Sequence, residues 1–77
     1  MIMREGWCIL CDRIYMHRKT EAIVMHTIEG RYEVFDIKRL GKRVFDTLKL
    51  AMINAEIDPP NRPTSIALQQ LKSHYSN

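Results

Sequence analysis

Glycine, proline and cysteine are all scarce in this chain of 77 residues, at three, three and two, and each scarcity excludes something. Three isolated glycines leave no Gly-rich loop to cradle a phosphate, and neither a nucleophile elbow nor an H-E-x-x-H pair is present. The prolines are confined to Asp58-Pro59-Pro60-Asn61-Arg62-Pro63, a stiff connector too short to link separate domains flexibly. Two cysteines three positions apart are not a disulfide framework. No apolar run approaches the ~20 residues of a membrane span, and MIMREGW lacks the apolar region of a signal peptide. A soluble, cytoplasmic protein is therefore expected.

Hydrophobic residues make up 45% of the chain and charged ones 27%, a balance that speaks for a folded domain and against disorder. A chain of this length forms one domain, residues 1–77, that buries only about 60% of its unfolded surface. Dimerisation would add to its stability. Twelve Lys and Arg against nine Asp and Glu give a net charge of +3, a mild bias towards anionic partners.

Residues Asp36 to Ile57 carry the longest helical period: Ile37, Leu40, Val44, Leu48, Ala51, Met52 and Ala55 step by three or four. The spacing predicts a core-facing helix over about 37–57, capped by Asp36 and stopped before Pro59. Gly41 costs about 1 kcal/mol relative to alanine within it, and marks a close approach or a late start. Upstream, aromatic and branched residues predict strands at about 7–16, 21–28 and 31–36. Glu29-Gly30 is expected to turn a two-residue hairpin between the last two. Both faces of the first two strands are apolar, so the sheet needs two covers. Beyond the prolines, Ala67, Leu68, Leu71 and Tyr75 predict a short helix over about 64–75. The expected fold is α+β: a three-stranded antiparallel meander, a long amphipathic helix and a short C-terminal one.

Trp7-Cys8-Ile9-Leu10-Cys11 resembles the W-C-x-x-C of thioredoxin-like proteins, which would imply an activated Cys8 at a helix N-terminus. The flanks of these five residues read as strand instead. Cys8, Cys11, His17 and His26 are the ligand types of a tetrahedral zinc site, but alternating strand residues would send the two thiols to opposite faces. The plainer reading makes the cysteines small hydrophobes, with His17 in a loop and His26 on the strand surface. No metal, no cofactor and no catalytic residue is assigned.

Position within the predicted helix gives the charge its interest. Lys38, Arg39, Lys42 and Arg43 would occupy the first two turns, where the helix dipole disfavours cations by about 0.3–1 kcal/mol each. Together with free N–H groups they would make an anion site, extended by Lys49, Arg18, Lys19 and Arg31. The plainer reading is a solvated face balanced by Asp46. Further along the same helix, Leu50, Ile53 and Ile57 turn an apolar back outwards, which Leu68, Leu71 and Tyr75 or a second subunit could cover.

Two resemblances agree with an anionic ligand. RYEVFD, a helix, a turn and NRPTSIALQQLKSHY resemble the strand-helix-helix order of ribbon-helix-helix repressors, which implies a dimer whose paired strands enter the major groove. Leu40-Gly41, Phe45-Asp46-Thr47 and Ala51 resemble the end of AP2-like or integrase arm-type domains, which implies a three-stranded sheet that binds DNA. The first functional expectation is thus a small basic nucleic-acid-binding or regulatory accessory protein, a homodimer or part of a complex, that grips backbone phosphates. The alternative is a protein-binding module or inhibitor of phage or plasmid type that occludes a host complex through its surplus apolar surface or basic face.

Overall fold

The computed structural model describes residues 3–60. Strands β1 (Trp7–Cys11), β2 (Ile14–His17), β3 (Ile23–His26), β4 (Tyr32–Val34) and β5 (Val44–Phe45) form one antiparallel sheet in the order β1-β2-β3-β4-β5. A single turn of 3-10 helix, Ile37–Arg39, interrupts the passage from β4 to β5, and helix α1 (Leu48–Ile57) follows. The class is α+β, an antiparallel sheet and then a helix. The predicted helix at 64–75, with Leu68, Leu71 and Tyr75, lies outside the described residues.

Two expected boundaries are corrected. The run 7–16 is two strands: Asp12-Arg13 form a turn between Cys11 and Ile14, and Arg13 takes a left-handed φ of 68°. A continuous apolar run concealed that turn, because neither glycine nor proline marks it. Strand three and strand four are paired as expected, but around a three-residue tip, since Thr27 N–H donates to the Arg31 carbonyl at 2.8 Å and Gly30 sits at φ 82°.

The larger correction concerns the long helix, which is only half as long as its period suggests. Asp36 does cap a turn, accepting from Lys38 N–H at 3.0 Å. That turn ends at Arg39, and Leu40 leaves it in an extended conformation. Gly41 then adopts φ 73° and donates its N–H to Glu33 at 2.7 Å, a left-handed geometry that glycine adopts at no steric cost. Val44 and Phe45, β-branched and aromatic, add a fifth strand opposite Glu33 and Tyr32. Thr47 starts the real helix, its hydroxyl accepting from Leu50 N–H at 3.2 Å. A strand and a cap thus replace the middle of the predicted helix, and with it goes the strand-helix-helix order of ribbon-helix-helix repressors. The sheet likewise has five strands where the arm-type resemblance implied three.

Both sheet faces are apolar, as expected. Towards α1, Trp7, Ala22, Val24 and Val34 pack with Ala51, Met52 and Ala55, the part of the predicted stripe that is buried. Ile37 and Leu40, from its other half, are exposed. On the opposite face Ile14, Ile23 and Met25 form a second cluster with Leu10, Cys11, Met16 and Phe35. Among the described residues no helix is long and apolar enough to cross a membrane.

Candidate functional site

The basic segment 36–43 wraps the C-terminal end of α1, not its N-terminus. Arg43 is buried at 6% exposure. Its guanidinium donates to Asp36 Oδ2 at 3.0 Å, to Asn54 Oδ1 at 2.6 and 2.9 Å, and to the Asp58 carbonyl at 2.6 Å. A rigid fork with five donors is suited to reaching a carboxylate, an amide and a backbone carbonyl at once. The last carbonyls of a helix lack intrahelical partners and carry the negative end of its dipole, so Arg43 acts as a C-terminal cap. Of the four cations that were out of place in the predicted helix, Arg39 and Arg43 are in favourable positions at the C-terminal end of the observed one.

Arg39 makes the same connection from outside. It donates to Asp36 at 3.0 Å and to Asp58 at 3.1 Å, tying the 3-10 turn to the helix end. Asp36 is 1% exposed. Burial pushes its carboxyl up, but the Lys38 N–H, Arg43 and Arg39 together outweigh burial and hold it below the ordinary carboxylate range. Hydrogen bonding to Asp58, opposed by partial burial, raises Arg39.

A second ion-paired cluster lies on the other flank of the same helix end. Glu56 accepts from Arg4 at 2.7 and 3.0 Å and from the Trp7 indole at 2.8 Å. Those bonds, Arg4 first, hold the Glu56 carboxyl down at about 2. Glu56 borders a shallow cleft of about 500 Å³ with Arg4, Gly6, His17, Arg18 and Lys19. His17 Nδ1 accepts from the N–H groups of Lys19 and Thr20, both at 3.2 Å, so in that tautomer the proton sits on Nε2, which lies over Gly6.

The expected basic patch therefore divides. Arg39 and Arg43 are held by carboxylates of their own chain, and Arg31 pairs with Asp46 at 3.0 Å. Asp46 was expected beside Lys42, Arg43 and Lys49, a geometry that needed one continuous helix. Lys38, Lys42, Lys49, Arg18 and Lys19 are exposed and have no carboxylate partner among the described residues. Of the whole set only Lys49 lies in the first turn of α1.

The apolar back of α1 is present in the observed helix. Leu50 is 52% exposed and Ile57 78%, with half-buried Ile53 between them on the same side. Ile37 and Leu40 add exposed apolar surface on the turn that Arg39 fastens to Asp58, the residue after Ile57.

Cys8, Cys11, His17 and His26 do not converge. His17 meets Trp7 edge to face at 5.2 Å between ring centres, and His26 stacks on Tyr32 at 4.5 Å. Both belong to the sheet face that carries Tyr15 and Val24, as their pairings with Trp7 and Tyr32 show. The cysteines lie on the other. Among the described residues no group of three or more His, Cys, Asp or Glu could hold a metal ion.

Sequence reasoning missed Asn54, Glu56 and Asp58 as the acceptors that organise the basic residues. A signal was present: the polar residues in NAEID cluster where Asp58-Pro59-Pro60 ends the helix. Their partners lie 11 to 52 positions away along the chain, so no local pattern could pair them. Comparison with protein-family models, curated proteins and solved structures finds no match.

Proposed function

We propose that this chain is a non-catalytic binding domain whose outer α1 face, Leu50, Ile53 and Ile57, engages a protein partner. One observation carries the reading. Leu50 and Ile57 stand exposed on a helix whose end is fastened by Arg43 and Arg39, so apolar side chains are presented from a rigid support. Lys38, Lys42 and Lys49 supply exposed cations on α1 and on the turn tied to it, which favours a partner groove that is apolar with acidic borders. A second copy of this chain is the alternative protein partner, one that would cover the same apolar side chains without offering acidic borders to the lysines. An inhibitor or regulatory accessory role of phage or plasmid type, in a cytoplasmic setting, belongs to the same reading.

The test is capture of partners by the immobilised chain from nuclease-treated extract, beside Leu50→Asp and Ile57→Asp variants of verified fold. Retention by the wild type and loss by both variants is expected, at about 2 kcal/mol or roughly 30-fold in affinity if these are anchor residues. Capture that survives both substitutions overturns the reading. Native mass measurement identifies the case in which the partner is a second copy.

A second reading rests on five exposed cations that have no carboxylate partner among the described residues, Lys38, Lys42, Lys49, Arg18 and Lys19. Under it, phosphate backbone of a nucleic acid is the ligand, bound by charge and with little base readout. Duplex or single-strand affinity that falls steeply with salt, and falls further in Lys38→Glu/Lys42→Glu, would favour it over the first. Affinity unchanged by that pair of substitutions would remove it.

A further inference from the structure

The pairing of β1 with β2 contains an irregularity with a chemical consequence. Cys8 is opposite Met16 and Ile9 opposite Tyr15, but Cys11 is opposite Ile14. The register slips by one between Ile9 and Cys11, so Leu10 is an inserted residue, a β-bulge. In a regular strand, positions three apart point to opposite faces and lie about 10 Å apart. Here the partners, Ile14 and Met16, are two apart on β2 and share a face, so Cys8 and Cys11 share it too. Leu10 and Cys11 accordingly both pack on the Ile14, Ile23 and Met25 cluster of that face.

The two partners on β2 are about 6.7 Å apart. The bulged segment opposite them therefore brings Cys8 and Cys11 close to the upper limit of the Cα separation of disulfide-bonded residues, about 4.4–6.8 Å. Both thiols are free and only half-buried, so a soluble oxidant can reach them. The Cys8 thiol makes one long contact of 3.6 Å to the Met16 carbonyl, which does not lock it in place.

We propose that Cys8 and Cys11 are a reversible thiol–disulfide pair, closed across the bulge by exchange with a low-molecular-weight disulfide such as oxidised glutathione. One cysteine, as its thiolate, attacks the glutathione disulfide; a mixed disulfide forms and one glutathione thiolate leaves. The second cysteine thiolate attacks the protein sulfur of that adduct, the Cys8–Cys11 bond forms and the second glutathione thiolate leaves. The two protons lost by the protein thiols are taken up by the two glutathione thiolates. The protein is oxidised by two electrons and glutathione disulfide is reduced by two. A bridge at the long end of the allowed span and open to solvent is of the labile kind, which excess glutathione reopens.

The experiment incubates the full chain in its native state with oxidised glutathione, quenches with acid and weighs the products. Wild type is expected to lose the mass of two hydrogens and to regain it in reduced glutathione. Cys8→Ser and Cys11→Ser are expected to stop at the mixed adduct. A further variant, Cys8→Ser with Ile9→Cys, tests the bulge itself. Ile9 is 63% exposed and pairs with Tyr15 on the other face, so its thiol would be nearer to Cys11 along the chain but turned away from it. Closure in this variant should fall at least about tenfold, equivalent to about 30 mV in the two-electron potential. The inference is overturned if wild type ends as a doubly glutathionylated chain or an intermolecular dimer, or if the Ile9→Cys variant closes as readily as wild type.

Discussion

Within the stretch Lys38-Arg39-Leu40-Gly41-Lys42-Arg43 the two arginines and the two lysines behave oppositely. Arg39 and Arg43 turn inward to Asp36, Asn54 and Asp58, whereas Lys38 and Lys42 are exposed. All four carry the same charge, so charge does not sort them. A planar fork can satisfy several fixed acceptors at once, and a guanidinium is more weakly hydrated than an ammonium, so it tolerates burial better. Basic residues in one short run can therefore serve two purposes, internal capping and a free surface.

The sharpest way to break the comparison is to make Arg43 a lysine. An ammonium cannot hold Asp36, Asn54 and the Asp58 carbonyl together. Arg43→Lys and Arg43→Met should both destabilise, the methionine variant by about 3–5 kcal/mol because a buried polar network is left without its cation. Urea unfolding measures this. An Arg43→Lys variant as stable as wild type would show that charge alone suffices.

A smaller effect separates the two flanks of the helix end. The Glu56 carboxyl is held at about 2 against an ordinary 4.5, a depressed value. Its pairing with Arg4 and Trp7 thus contributes in full above about pH 4.5 and is lost as pH falls towards 2. Asp36, also depressed, acts in the same direction. Glu56→Gln should be less stable than wild type at neutral pH, and the gap should narrow steadily below pH 4.5 in thermal scans. A gap independent of pH would mean that the charge on Glu56 does not carry the contribution.

The smallest expected effect is at the lysines. Lys38→Ala and Lys42→Ala should each change stability by no more than about 0.5 kcal/mol, since exposed side chains with no carboxylate partner among the described residues contribute little to folding. A larger loss in urea unfolding would place them in the same network as the arginines and leave less free charge for any ligand.

Elements with a strong local signal were legible. The glycine at position 30 marked its hairpin, Asp36 and Asp58-Pro59 marked the ends of the segment between them, and Ala51, Met52 and Ala55 are buried as their spacing requires. The helix period failed over 37–47, because Ile37, Leu40 and Val44 fit a helical stripe by coincidence while Val44 and Phe45 find backbone partners on β4. That error moved four cations to the wrong end of a helix. The candidate site was legible as a list of basic residues and illegible as an arrangement.

What the sequence determined by itself is the inventory and the short-range geometry: an antiparallel sheet before a helix, apolar on both faces, a surplus apolar helix back and a mild positive charge. Such features depend on neighbours within a turn or a strand. Tertiary structure alone decided which cations are free and which cysteine faces which way. The first depends on carboxylates and carbonyls remote in sequence, and the second on a single inserted residue whose effect appears only when β2 lies alongside.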